Sequence, residues 1–441
     1  MQYDTLCGTF GGVLSALKPI VLSNFSDRIF HCYACHAGNL SALLPSARSR
    51  TGEALWHTYL SGCGTDVDAS LAQLKAVCEA AERYSSCILL EHEYLVASAN
   101  ELGTAALDWH TFPSFSVEEL ELPNQQFRQF NPDDPIRWVE AVDLHSGKRR
   151  YVPTAMSHIY PRTWTTEQFW SPISTGTAVH SDPAIALVTA IAEVIERDSI
   201  ALTWLLRRHL RRIRFDGCDL AHWPPAVRPL LEHRQEFMLF DGTTDFGLPT
   251  VYLRRRRPSH PHAANLVTCA SSFSYADACL QAVREMATLS SILDTGQLQL
   301  VANADDCFGI EDGAVYMAQP ERAHAFDFLD GRESVRFAEL RAAQPLPEKC
   351  AAGGQLRWLK QRARTLGHQV LLLELTCDEL KQVGLRSFRA LIPGLMPMST
   401  ITTARYLGTP RLAQFHRHLQ ERGEVPSNAP LAINPFPQAF A

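Results

Sequence analysis

The chain has 441 residues, 46% of them hydrophobic, with 41 Lys and Arg against 47 Asp and Glu for a net charge of −6. That length and apolar content suffice for a sizeable core, and length alone suggests roughly two to three ordinary domains. A mildly acidic balance argues against general nucleic-acid binding, which rests on phosphate neutralisation by Lys and Arg.

The basic runs "RRHLRR" (207–212) and "RRRR" (254–257) read as solvated charge in loops or at helix ends. The 12 cysteines are thinly spread, unlike those of a short disulfide scaffold, so they imply reduced thiols in a cytoplasmic protein. The first residues, "MQYDTLCGTFGGVLSALKPIVL", have no basic region before their apolar part, as a signal peptide would. No stretch approaches the roughly 20 apolar residues that span a bilayer, so no membrane role is expected.

In chain order, "CYAC" at 32–35 comes first, flanked by His31 and His36. A structural zinc site wants four ligands, and no second CxxC pair follows. The Gly-rich "SGCGTD" (61–66) reads as a loop leading into a helix that carries "AVCEAAERYS" (76–85). Strands are expected at "RWVEAVDL" (137–144) and "RRYVPTAM" (149–156). "STGT" (174–177) is then a loop before a second helix containing "AIAEVIERDS" (190–199). Further strands fall at "EFMLF" (236–240), "LPTVYL" (248–253), "NLVTCA" (265–270) and "VLLL" (370–373). "CASSFS" (269–274) leads into a third helix with "ACLQAVREMATL" (278–289).

The three helices are copies of one pattern. The first has Ala72, Ala76, Val77, Glu79, Glu82, Arg83 and Ser85; the second has Ala186, Ala190, Ile191, Glu193, Glu196, Arg197 and Ser199. The third keeps Ala278, Ala282, Val283 and Glu285, then departs with Thr288 and Leu289. Strand and helix units recurring throughout imply one large mixed α and β (α+β) domain with three internal helix-containing repeats.

Helical residues three apart share a face, so the glutamates pair as Glu79 with Glu82 and Glu193 with Glu196. Their neighbours are apolar, and a carboxylate in such a place needs a cation or hydrogen bonds. One copy alone would read as a salt bridge closed by Arg83 or Arg197. Two copies give four inward carboxylates for two arginines. A cluster of hard oxygen ligands suits Mg²⁺ together with phosphate oxygens, and Mg²⁺ so held would clamp a triphosphate during phosphoryl transfer. There is no GxxxxGK[ST] loop, no GxGxxG, no kinase signature pair and no GxSxG elbow. A nucleotide would therefore sit on an unusual fold.

The two ExxER segments, "STGTA" before the second and "IALTW" after it, resemble the YcaO-domain family over nearly the whole chain. "FRALIPGLMPMSTITTARYLGTPRLAQF" (388–415) and "INPFPQAFA" (433–441) are similar to the C-terminal part of azoline-forming YcaO cyclodehydratases of thiazole/oxazole-modified microcin pathways. The resemblance implies a catalytic domain over 1–390 and a C-terminal segment of the same domain over 391–441. That segment would end in a proline-spaced tail near the active site. Pro435 and Pro437 hold the spacing, whereas Ala439 and Ala441 stand where further prolines are expected.

The resemblance further implies ATP and Mg²⁺ as cofactors. Cys, Ser or Thr residues of a ribosomal precursor peptide would become thiazolines or oxazolines through phosphorylation of the amide oxygen. Glu79, Glu82, Glu193 and Glu196 would hold Mg²⁺, while Arg197, Arg83, Lys75, Ser174, Thr175 and Glu285 would face the nucleotide. The implied partners are the precursor peptide, a separate leader-binding protein of the E1-like or ocin-ThiF-like kind and a flavin-dependent azoline dehydrogenase, with homodimers common in the family. Two alternatives stay open: a thioamide- or amidine-forming backbone modifier, and a non-catalytic partner-binding member.

Overall fold

A computed structural model describes residues 3–440 apart from 4, 9–11, 23–28, 38–59, 124, 160–163, 233–235, 295–297, 299, 310, 332 and 348. Strands β1 (Lys18–Pro19), β2 (His31–His36) and β3 (Ser61–Asp66) form one sheet and precede helix α1 (Ala69–Cys87). There follow β4 (Tyr94–Ala97), β5 (Ile136–Asp143), β6 (Arg149–Pro153), β7 (Thr177–His180) and helix α2 (Pro183–Leu205). Next come β8 (Arg211–Arg214), β9 (Phe237–Asp241), β10 (Thr250–Arg256), β11 (Asn265–Ser271) and helix α3 (Tyr275–Leu293). The rest comprises β12 (Ser334–Arg336), α4 (Ala352–Thr365), β13 (Leu371–Glu374), β14 (Arg386–Leu391) and α5 (Pro410–Glu421). The second sheet runs β4-β5-β13-β14-β7 with β6 on β5, and the third runs β11-β10-β9-β8-β12. Among the described residues no helix is long and apolar enough to cross a membrane.

The repeats are visible as one local design. Asp68, Asp182 and Ser274 cap the three helices through their side chains, each eleven residues before the copy's first glutamate (68/79, 182/193, 274/285). A cap satisfies amides that the first turn leaves orphaned. Ala72, Ala76 and Ala80, like Ala186 and Ala190 and like Ala278 and Ala282, are fully buried. Such small residues spaced four apart let a helix lie close on a strand.

The first copy takes this furthest. "SGCGTD", expected to be a loop, is strand β3, paired antiparallel with β2. A Cβ on Gly64 would lie 1.9 Å from the Ala72 carbonyl oxygen. Glycine here marks a backbone-to-backbone approach rather than a turn. Gly176, at φ +83°, plays the matching part before β7, where a Cβ would come within 2.4 Å of the Ala390 oxygen.

The helices interlock in a cycle. α1 lies on β3 and β2 and touches β7; α2 lies on β7 and β14 and touches β11; α3 lies on β11 and β10 and touches β3. Polar side chains mark the crossings: Ser85 meets Ser387 on β14 at 2.8 Å, the Glu196 carboxylate accepts from the Ser271 amide at 2.7 Å, and Thr288 meets Thr65 on β3 at 2.6 Å.

The C-terminal segment is tied to the second motif helix by buried ions. Arg411 on α5 bridges Asp198, beside Arg197, to Asp245, and Asp198 also accepts the Met396 amide at 2.8 Å. The "RRRR" run is not solvated as expected. Arg254 and Arg255 are each 1% exposed on β10, where they pair with Asp330 and Glu236. The pleat sends them to opposite faces of a covered sheet, and each meets a carboxylate at the rim. All 12 cysteines are free thiols. Cys32 of the "CYAC" run sits 3.5 Å from Cys63 across β2 and β3.

Candidate functional site

The acidic residues of the three motif helices lie within one another's electrostatic reach. In the first copy Glu79 accepts from the Cys63 amide at 2.9 Å and from Arg83 at 3.1 Å. In the second, Glu193 accepts from the Gly176 amide at 3.0 Å and from Arg197 at 3.2 Å. The two copies thus anchor the first glutamate identically, to an amide of their own strand entry and to the arginine one turn on. Glu196, 5% exposed, adds a contact to Arg197 at 3.3 Å and the amide of Ser271 on the next repeat. Glu285 accepts from Gln281.

Glu82 differs. Its carboxylate has no hydrogen-bond or salt-bridge partner among the described residues, although it is half-buried. Burial pushes its pKa well above the usual carboxylate range, and Glu193 and Glu79 push it further against Arg83 and Arg389. Burial likewise raises Glu196 to about 8, with Glu285 and Glu193 adding to the effect and Arg197 opposing it. Glu285 is raised to about 7, again by burial first, with Glu79 and Glu193 contributing. Five carboxylates therefore share one field, and the protein's own cations do not balance it. Stacked like charges with raised pKa values mark a site kept for an external cation or for proton chemistry.

These residues fit Mg²⁺ in a particular way. Among the described residues no three His, Cys, Asp or Glu side chains converge tightly enough to hold a metal by themselves. Mg²⁺ does not require such a cage, since it takes one or two carboxylates and completes its octahedron with phosphate oxygens and waters. An unpartnered Glu82 within the field of Glu193 supplies that kind of incomplete, hard-oxygen donor set.

The other expected site residues divide. Lys75 is held at 2.7 Å by Asp66, which also takes Arg284 at 3.0 Å. Burial lowers the Lys75 pKa against the pull of Asp66. The Ser174 carbonyl closes the turn to the Thr177 amide at 3.1 Å. Thr175 lines a small cavity together with Arg197 and Arg389.

In the tail, Asn434 bonds the Leu205 and Trp204 carbonyls at the end of α2, and the Trp204 indole donates to the Phe436 carbonyl. Pro435 and Pro437 lie in this docked stretch, Ala439 is buried, and Phe440 packs edge-on against Tyr252 with ring centroids 5.2 Å apart. Tyr252 pairs in register with Cys269, whose thiol feels Glu196 and Glu285. Ala441 lies outside the described residues.

Sequence reasoning missed Arg389. It is 1% exposed on β14, and its charge reaches Glu193 and Glu82. An arginine whose strand neighbours two apart, Ser387 and Leu391, are both apolar or small was the available signal.

The comparisons with known proteins agree with this fold. One curated relative, an uncharacterised protein encoded in the tfuA 3′ region of Rhizobium leguminosarum bv. trifolii, is 27% identical over 208 residues, 44% of this chain and 44% of its own length. Among solved structures, a heterocyclase in complex with substrate and cofactor superposes with a TM-score of 0.75 at 19% identity, covering 100% of this chain and 56% of its own. The chain therefore spans only about half the length of these two proteins. The YcaO of Methanopyrus kandleri bound with AMPPCP and Mg²⁺ gives 0.59 at 16% identity over 89% of this chain and 88% of its own. The E. coli microcin synthetase McbBCD complex gives 0.59 at 13% identity over 88% of this chain and 90% of its own. The family model described as YcaO cyclodehydratase, ATP- and Mg²⁺-binding, matches residues 61–396, which takes in all three motif helices and β14, and the chain belongs to that YcaO family.

Proposed function

We propose that this protein is an ATP- and Mg²⁺-dependent peptide cyclodehydratase that forms azolines. A Cys, Ser or Thr side chain of a precursor peptide attacks the preceding carbonyl, the oxygen takes the terminal phosphoryl group of ATP, and phosphate departs to leave a thiazoline or oxazoline. An amide oxygen is a very poor leaving group, and phosphorylation makes it a good one. The observation that carries the reading is the unpartnered Glu82 within a five-carboxylate cluster whose buried members have raised pKa values.

Glu79, Glu82, Glu193 and Glu196 are the proposed Mg²⁺ ligands. Bound Mg²⁺ would bridge phosphate oxygens and offset the charge that develops on them. Arg197 contacts Glu193 and Glu196, and Arg83 contacts Glu79; in this reading both arginines would meet phosphate. Glu285, Thr175, Ser174 and Lys75 complete the proposed nucleotide surroundings, with Lys75 having to leave Asp66 to reach phosphate. Residues 391–441 belong to the same domain, held through Arg411, and their tail forms one wall of the active-site region. Ring formation rather than thioamidation is favoured by the Pro435 and Pro437 spacing. The heterocyclase and microcin synthetase likenesses support a peptide substrate and a separate leader-binding partner.

The test is calorimetry of Mg²⁺-dependent ATP binding to the purified chain, beside Glu193→Gln and Glu196→Gln, followed by incubation with the peptide encoded nearby and its partner. Loss of one water per ring, read by mass spectrometry, is expected. A gain of sulfur in place of oxygen would instead establish thioamide formation. Absence of nucleotide binding with and without the partner would sink the enzymatic reading.

A further inference from the structure

Beside the carboxylate cluster lies a cavity of about 50 Å³, bordered by Trp170, Ile173, Thr175, Arg197, Arg389 and Met396. It is far below the roughly 300 Å³ at which pockets begin to enclose a whole small molecule, so it receives one functional group. Beside Thr175 and the glutamate-bound Arg197, its polar lining includes two residues with unused donors. The Arg389 side chain gives one bond, from Nη2 to the Ile173 carbonyl, while its Nε and Nη1 have no partner. Nor does Arg389 form an ion pair among the described residues. The Trp170 residue is 7% exposed, and its indole Nε1 is likewise unpartnered. Most of the remaining wall is apolar, from Met156, Ile173, Leu391 and Met396 among others.

Buried donors without acceptors are rare in folded proteins because each forfeits its bonds to water. Two side chains that carry such donors border one cavity, an arrangement suited to receiving an oxygen atom that arrives with the ligand. The cavity excludes a nucleobase by size. Its apolar walls suit the carbon skeleton of a peptide better than a phosphate, which seeks cations and donors on every side. Arg389 stays cationic near neutrality: burial lowers its pKa to about 10 while Glu193 and Glu82 hold it up. Arg197 is shared between this cavity and the glutamates, so an oxygen seated here lies beside the proposed phosphoryl donor.

We propose that this cavity seats the carbonyl oxygen of the substrate amide, and that Arg389 and the Trp170 indole N–H stabilise the oxyanion formed there on attack. The inference rests on the cyclodehydratase reading and specifies its substrate-oxygen subsite. In the step concerned, the nucleophile's sulfur or oxygen bonds to the carbonyl carbon and its proton leaves to solvent. The carbonyl π pair moves onto the oxygen, which takes the terminal phosphoryl group of ATP with ADP as the leaving group; loss of phosphate and of the amide N–H proton then forms the C=N bond. Donors fixed in a water-poor cavity act most strongly on charge that develops during reaction.

The minimal probe is N-methylacetamide, a secondary amide with no nucleophile. It is titrated into chain whose tryptophan indoles are ¹⁵N-labelled, with Trp170→Phe assigning the Trp170 resonance. We expect a saturable downfield shift of that indole proton, and an affinity at least about tenfold weaker in Arg389→Lys, the equivalent of about 1.4 kcal/mol. Arg389→Lys keeps a cation near Glu82 and Glu193, so calorimetric Mg²⁺·ATP affinity should fall by a smaller factor than amide affinity does. Trp170→Phe keeps the ring and removes only the donor, so it tests the same cavity should the arginine variant fail to fold; it should weaken the probe as judged by competition from ligand-observed spectra. An indole that ignores the amide, or that responds to inorganic phosphate instead, overturns the proposal even where wild type binds Mg²⁺·ATP. A chain that binds the amide but no Mg²⁺·ATP, alone or with its partner, would leave the oxygen subsite standing and remove the function proposed above.

Discussion

The second and third repeats use the same crossing for different purposes. On α2, Glu196 reaches across to the Ser271 amide of the next repeat and keeps a carboxylate in nearly buried surroundings. On α3, the equivalent position is Thr288, which reaches across to Thr65 of the first repeat with a neutral hydroxyl at 2.6 Å. Both contacts close the same cycle of helices and strands. A hydroxyl does so without the desolvation that a carboxylate suffers, so closing the cycle does not explain Glu196. The two acid-bearing copies carry charge that the fold does not need, and the third shows what the crossing looks like when only the fold is served.

The harshest way to break that comparison is Thr288→Glu, which gives the third copy the motif it lacks. A carboxylate would be pressed between Thr65 and the Cys32 and Cys63 thiols, with no arginine behind it because Leu289 stands where Arg83 and Arg197 stand in the other copies. An uncompensated buried charge costs about 3–5 kcal/mol, and chemical denaturation should show a loss of that order. An unchanged midpoint would mean that the Thr65 contact does not close the cycle.

Glu193→Gln comes next. The amide retains an oxygen for the Gly176 N–H, so the fold should hold, but a charged ligand is gone. Mg²⁺·ATP affinity should fall roughly 10- to 100-fold, the value of a charge-assisted contact of about 1.5–3 kcal/mol. Equal affinity by calorimetry would move the nucleotide away from this helix.

Buried carboxylates on the second and third copies, Glu196 and Glu285, also set a pH dependence. Burial raises Glu196 to about 8 and Glu285 to about 7, above their ordinary value of 4.5. Groups raised in the folded state favour folding fully below the unfolded value, and that contribution is lost as pH climbs through 7 and 8. Metal-free protein should therefore melt lower at about pH 9 than at about pH 6, and Mg²⁺·ATP, which binds the ionised carboxylates, should restore more at the higher pH. A stabilisation by Mg²⁺·ATP that is larger at the lower pH would contradict the assignment of these groups to the cation site.

How much of this could be read beforehand depended on periodicity. The helices and the glutamate pairs were legible because a helix repeats its face every three to four residues and three copies reinforce one another. Strands such as β9, β10 and β11 were legible from short apolar runs, aromatic in β9 and partly β-branched in β10 and β11. "SGCGTD" was not, because Gly62 and Gly64 signal a turn locally while their real task is to let α1 settle on the strand. "RRRR" misled for a similar reason: the local run is cationic, but Glu236 and Asp330, which neutralise two of its members, come from other elements. Arg389 sits 192 positions beyond Arg197, and only folding brings both to one cavity. Local chemistry showed in the sequence, and whatever was settled by a partner from another repeat did not.

The mildest change sharpens the comparison most. Thr288→Val keeps the shape of the third crossing and removes its hydroxyl. Thr65 would retain the Cys32 thiol as a neighbour at 3.3 Å, so it is not wholly orphaned, and the cost should be near the ordinary ~1 kcal/mol of a single neutral hydrogen bond. Mg²⁺·ATP affinity should be unaffected, because no carboxylate or arginine moves. A loss of affinity here, without a matching loss of stability, would show that the third crossing also shapes the nucleotide site, and the division between a crossing residue that only closes the cycle, Thr288, and one that serves the cation, Glu196, would fail.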